Sequence, residues 1–102
     1  MPKYSIIILA LNKKEMTRRC IDSVLKYSKD FELILIDNGS TPALDMPEVS
    51  IRLEKNVGCT KGMNIGLEKA RGEIIVILGN DTVVSENWLD RMCQHLENYD
   101  IV

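Results

Sequence analysis

Three runs of almost uninterrupted apolar residues, largely β-branched, constrain this chain more than any other feature. They are Ser5-Ile6-Ile7-Ile8-Leu9-Ala10-Leu11, Leu33-Ile34-Leu35-Ile36 and Ile74-Ile75-Val76-Ile77-Leu78. A strand with one face in water alternates apolar and polar residues. These runs do not, so they read as strands covered on both faces, as in a parallel sheet with helices above and below. The longest is far short of the roughly 20 residues a membrane helix needs. With 102 residues there is room for one domain only.

The segments between the runs have helical spacing. Met16, Cys20, Val24 and Tyr27 recur every three or four residues, and Asn12 with Glu15 resembles a capping box at the start of that helix. A middle helix is expected from about Thr60 to Ala70, with Met63, Leu67 and Ala70 inward. The spacing of Gly58, Gly62 and Gly66 suggests close packing of this helix on the sheet rather than contact with phosphate. A last helix, with Ser85 as N-cap, places Trp88, Leu89, Met92, Cys93 and Leu96 on one apolar stripe. Val49-Ser50-Ile51-Arg52-Leu53 alternates and reads as an edge strand. Asp37 through Glu48, with its Asn-Gly and Thr-Pro steps, reads as a loop. The order β-α-β-β-α-β-α implies a three-layer, Rossmann-like α/β/α fold. Tyr99-Asp100-Ile101-Val102 reads as the entry to a further strand, so the fold is expected to be truncated.

Composition excludes several classes of function. Thirteen basic against 15 acidic residues give a net charge of −2, without the basic excess of a nucleic-acid-binding protein. Three cysteines without CxxC spacing read as structural thiols of a reducing, cytoplasmic setting, and no signal peptide is expected.

Ligands of open parallel sheets bind outside the carboxyl ends of the strands. Those ends carry Asn12, Asp37-Asn38 and Asn80-Asp81. Taken singly, Asp37 or Asp81 reads as a residue closing a turn; together on one rim they read as a site. The first strand-to-helix turn, Leu11-Asn12-Lys13-Lys14-Glu15, lacks the glycines of a dinucleotide fingerprint and the GxxxxGK of a P-loop. A bound phosphate would then need a metal, and Asp81 is a suitable hard-oxygen ligand for Mg²⁺ or Mn²⁺.

Five segments, in order and at the right spacing, resemble family 2 glycosyltransferases of the GT-A fold. They are Ser5 to Asn12, Leu35-Ile36-Asp37-Asn38-Gly39-Ser40-Thr41, Asn56-Val57-Gly58 with Gly62-Met63-Asn64-Ile65-Gly66, Ala70-Arg71-Gly72-Glu73-Ile74, and Leu78-Gly79-Asn80-Asp81-Thr82. The resemblance implies a sheet order of about 3-2-1-4 and makes residues 1–102 the N-terminal, donor-binding portion of such a domain. It implies metal-assisted, inverting transfer of a sugar from a nucleotide-diphosphate donor, most readily a UDP-sugar, to a hydroxyl acceptor. The alternative is a non-catalytic nucleotide-sugar-binding or assembly module. By the same resemblance Ala10, Leu11 and Asn12 line the nucleoside pocket, and Asp37 and Asn38 meet the base or ribose. Asn80 lies near the ribose and Asp81 binds Mn²⁺ or Mg²⁺. No catalytic residue is assigned within the chain, because the acceptor-side base is expected beyond Val102. Ala10-Leu11 stands where the family usually has Thr-Tyr, and Gly79-Asn80 leaves a single carboxylate at the metal position. The implied setting is cytoplasmic, peripheral to a membrane in a longer protein, with self-association through an exposed sheet edge.

Overall fold

A computed structural model of the chain describes residues 2–96. Its elements are β1 (Tyr4–Ala10), α1 (Lys14–Tyr27), β2 (Phe31–Asn38), β3 (Val49–Leu53), α2 (Cys59–Lys69), β4 (Ile74–Gly79) and α3 (Trp88–Leu96). The strands form one sheet in the order β3-β2-β1-β4, and every pairing is parallel. Both the α/β/α layering and the expected strand order are therefore present. The segment Tyr99–Val102 lies outside the described residues.

Each face of the sheet has its own core. On one, Ile6, Ile8, Leu35 and Val76 pack with Cys20, Ile21 and Val24 of α1 and with Trp88 and Leu89 of α3. On the other, Ile7, Ile34 and Ile36 meet Met63 and Ala70. Trp88 buries its ring and donates its indole N–H to Ser28 Oγ at 2.9 Å, so the stripe on α3 is core, as expected.

The packing of α2 explains its glycines. A β-carbon on Gly66 would stand 2.6 Å from Ile36 Cδ1 and 2.8 Å from Ile7 Cγ2, and one on Gly62 would be 2.9 Å from Leu9 Cδ1. The helix lies on the sheet with no side chain between them. The expectation of close packing holds for these two residues. Gly58 differs: nothing lies near its missing side chain, but it caps α2 at φ +88°, a backbone that suits glycine. Because the glycine face is the one turned inward, Leu67 lies on the flank of α2 and is exposed rather than buried.

Four other expectations need correction. The third apolar run was expected to be covered on both faces, yet in β4 only Val76 is buried; Ile75 is 41% exposed and Ile77 56%. The cause is topological, since β4 is the edge strand beside β1 and α2 lies across β1 and β2. There is no capping box on α1: Asn12 and Lys13 adopt left-handed φ angles of 58° and 55°, and no side chain caps the helix. The last helix begins at Trp88, whose N–H bonds the Ser85 carbonyl, with Asn87 at φ +63° between them. Finally, β2 runs through Asn38, so the loop expected from Asp37 starts two residues later.

Ala70-Arg71-Gly72-Glu73 belongs to the opposite end of the sheet from the carboxyl rim. The Gly72 amide donates to Ser5 Oγ and the Arg71 amide to the Glu32 carboxylate, which also accepts from Ser5. Burial raises the pKa of Glu32, but these hydrogen bonds and the Arg71 charge outweigh it, leaving the carboxyl below its ordinary value. A β-carbon on Gly72 would lie 2.6 Å from backbone atoms of Tyr4 and Ser5, where neither can give way. Gly72→Ala is therefore expected to cost about 1–3 kcal/mol. Gly62→Ala should cost less, because a leucine methyl can shift. Urea midpoints at an unchanged m-value give the ranking.

Candidate functional site

The rim formed by the carboxyl ends of β1, β2 and β4 is organised by one four-residue turn, Asp37-Asn38-Gly39-Ser40. The Asp37 side chain is 1% exposed. Its Oδ1 accepts the Ser40 amide at 3.0 Å; its Oδ2 accepts the Leu44 amide at 2.9 Å and the Arg52 guanidinium at 3.0 Å. Arg52 also donates to the Leu44 carbonyl, closing the loop around the carboxylate. Burial alone would raise the Asp37 pKa; hydrogen bonds from Ser40 and Leu44 and the Arg52 charge reverse that and hold it below the usual carboxylate value.

The next three residues tie down the neighbouring loops. The Asn38 amide group donates to Asn56 Oδ1 at 3.1 Å and to the Gly58 carbonyl, while its oxygen accepts the Val57 amide. Gly39, at φ +76°, passes so close to Lys55 that a β-carbon would overlap its backbone. Ser40 Oγ accepts the Asn12 amide at 2.7 Å, and Asn12 Oδ1 in return accepts the Thr41 amide at 2.9 Å. This exchange is why Asn12 does not cap α1. A second brace joins α1 to the start of β3. Arg18 makes a bidentate pair with Glu48, at 2.9 and 2.7 Å, and also bonds Asp22.

Between the loops lies an open cleft of about 270 Å³, lined by Asn12, Lys13 and Lys14 on one side and by Thr41 to Asp45 on the other. Across the rim, Asn80 donates to Thr17 Oγ1 at 3.1 Å, fixing the end of β4 to α1. The Thr82 amide bonds the Gly79 carbonyl, and Asp81 is exposed at the tip of this turn. Its Oδ1 stands 2.9 Å from where a side chain on Gly79 would begin. Burial pushes the Cys20 thiol beneath this turn up to about 11, and the Asp81 charge adds to the effect. That thiol is a packing group, not a nucleophile.

The rim thus separates the expected site residues into two sets. Leu11 and Asn12 are exposed beside the cleft, Asn80 is half-buried and Asp81 is open to solvent. Ala10, by contrast, is 1% exposed and points into the core shared with α1 and α3, so the expected place in a nucleoside pocket is corrected. Asp37 and Asn38 are buried with their polar atoms committed to their own chain, and the expected direct contact with a base or ribose is corrected to a positioning role. The exposure of Asp81 also removes any need for a cation to offset its burial. Among the described residues no cluster of three or more His, Cys, Asp or Glu side chains could hold a metal unaided. Sequence reasoning missed Arg52, Leu44 and Glu48, whose roles depend on how the 39–48 loop folds back. Ser40 and Asn56 lay within segments already singled out.

Comparison with known proteins fits this geometry. The profile of the family described as "Glycosyl transferase family 2" matches residues 5–102. The chain belongs to that family. The glycosyltransferase GlyG of Streptococcus pneumoniae is 28% identical over 107 residues, covering 94% of this chain and 36% of that protein. A PGL/p-HBAD biosynthesis glycosyltransferase of Mycobacterium tuberculosis is 35% identical over 96 residues, 83% of this chain and 38% of that one. The family 2 chain described here thus spans little more than a third of the length of these relatives. Two solved structures share the fold: S. aureus TarS 1–349 in complex with UDP-GlcNAc, with TM-score 0.76 and 21% identity, and the mannosyltransferase PcManGT of Pyrobaculum calidifontis in complex with GDP-Man and Mn²⁺, with TM-score 0.79 and 19% identity. Each is matched over 96% of this chain and about a third of its own length.

Removing the Asp37 carboxylate strands two backbone amides and a guanidinium. Asp37→Ala is expected to cost about 2–3 kcal/mol at pH 7. The folded-state pKa is depressed, so this contribution is present above the ordinary carboxylate value and is lost as the pH falls through about 4 and below. Urea titrations of both proteins from pH 7 to pH 3 should show the difference narrowing toward acid.

Proposed function

We propose that this chain forms the donor side of a glycosyltransferase that takes its sugar from a nucleoside-diphosphate donor, with the nucleoside in the cleft between the β1–α1 and β2–β3 loops. The observation that carries this reading is the locked rim. Asp37 to Ser40 fix both walls of the cleft through internal hydrogen bonds, so the site is preorganised before a ligand arrives. Family membership and neighbours crystallised with UDP-GlcNAc and GDP-Man support the donor class. Leu11 and Asn12 would flank the nucleoside, and Asn80 the ribose. Ala10, Asp37 and Asn38 would shape the pocket from behind.

Asp81 would offer one oxygen to a divalent ion, Mn²⁺ or Mg²⁺. The donor set fits such an ion only if the diphosphate supplies further oxygens, so metal and nucleotide should bind together. The ion would neutralise charge on the departing diphosphate. Inverting transfer to a hydroxyl needs a base, and this reading places it outside the chain, so the chain alone should transfer no sugar. Three free thiols, Cys20, Cys59 and Cys93, accord with a reducing, cytoplasmic setting.

Thermal shift and calorimetry with UDP and GDP, each with and without Mn²⁺, test the reading. Nucleotide at a hundred times its Kd should stabilise the fold by about 2.7 kcal/mol. Mn²⁺ should tighten binding, and Asp81→Asn should abolish that gain while sparing metal-free affinity. Binding of neither nucleotide overturns the donor reading; a metal effect that survives Asp81→Asn moves the metal elsewhere.

Self-association belongs to the same reading. The exposed Ile75 and Ile77 and the free edge of β4 form a surface that favours contact with a second chain. Sedimentation should show dimers or larger species at high concentration, and Ile77→Ser should return the chain toward monomer.

A further inference from the structure

The charge of this chain is strongly segregated. Residues 13–29 hold six cations and two acids, a net +4, in a chain whose total is −2, so the remainder carries −6. The structure puts that positive charge on one surface. Turning about 100° per residue, α1 gathers Lys14, Arg18, Arg19, Lys26 and the following Lys29 in an outward arc of about 140°. The opposite side, with Thr17, Cys20, Ile21 and Val24, is sealed against the sheet.

Pairing within the arc leaves most of the charge open. Asp22 and Glu48 are both engaged by Arg18. Among the described residues no ion pair within 4.0 Å involves Lys14, Arg19, Lys26 or Lys29. The acids nearest them in sequence are Glu15 and Asp30. Leu25 lies among the cations and is 47% exposed, although α1 has a full apolar face to bury it in. Beside it the Lys26 ammonium sits 5.1 Å from the centroid of the Tyr27 ring.

We infer that the outer face of α1 docks on an anionic lipid bilayer, with the lysines and Arg19 facing the headgroups and Leu25 entering the interface. An acidic protein is the competing partner, but this face is a convex helix, whereas a protein partner needs shape complementarity. A fluid anionic surface needs only charge of the opposite sign and an apolar contact. The inference does not depend on the donor reading.

Co-sedimentation with vesicles tests it, comparing pure phosphatidylcholine with the same lipid containing 30% phosphatidylglycerol. The chain should bind the anionic vesicles at least tenfold more tightly, and 0.5 M salt should weaken that binding. Each charge neutralised should cost about fivefold, so Lys26→Gln/Lys29→Gln should lose roughly 25-fold. Leu25→Ser should weaken the binding that persists in high salt. These substitutions are exposed and outside the cleft, so circular dichroism and nucleotide binding should match the parent. Equal binding to both vesicles, retention by the double variant, or capture by polyglutamate but not by anionic vesicles would each overturn the proposal.

Discussion

A buried carboxylate at the end of β2 is the constraint on which the rim depends. Asp37 cannot remain charged and out of water unless its oxygens are filled, and the chain fills them from three directions: the turn that follows, the returning loop and the guanidinium on β3. Satisfying the charge therefore folds the loop. Asn38, Gly39 and Ser40 extend the same arrangement sideways, to the entrance of α2 and to the exit of β1. A stretch without regular secondary structure becomes as determined as the strands beside it.

The two faces of the sheet solve their packing differently. One is filled in the ordinary way, with branched side chains of β1 and β2 meeting α1 and α3. On the other, α2 presents glycine, bringing its backbone against Ile7, Leu9 and Ile36. Close approach makes the cover narrow: it reaches β1 and β2 and stops short of β4. The exposed isoleucines of β4 are a consequence of that geometry.

Much of this was legible in the sequence. The uninterrupted apolar runs announced a parallel sheet, because no half-exposed strand would carry Ile6-Ile7-Ile8. The glycines at 62 and 66 announced close packing, and the segment around Asp37 announced a site. What the sequence hid was direction. Ala10 and Leu11 are adjacent, yet a strand sends alternate side chains to opposite sides, and Ala10 went to the core. Asp37 was visible as a polar residue on the rim, but whether it faces a ligand or its own chain depends on Arg52 and Leu44, brought back by a loop whose path no periodicity encodes. Likewise Asn12 had the chemistry of a helix cap and was claimed instead by Thr41, a partner 29 residues away.

The polar residues at the two ends of the sheet have another consequence. Strands made of repeated isoleucine are nearly interchangeable along their length, so a neighbour sliding by two residues would keep its apolar faces matched. Here such a slip is blocked at both ends. At one, Ser5 must stay beside Glu32 and Gly72; at the other, Ala10 must stay level with Asp37 so that Asn12 can reach Ser40. The two polar anchors act as a vernier on an otherwise featureless hydrophobic rail, and they select a single alignment where the apolar residues alone would accept several.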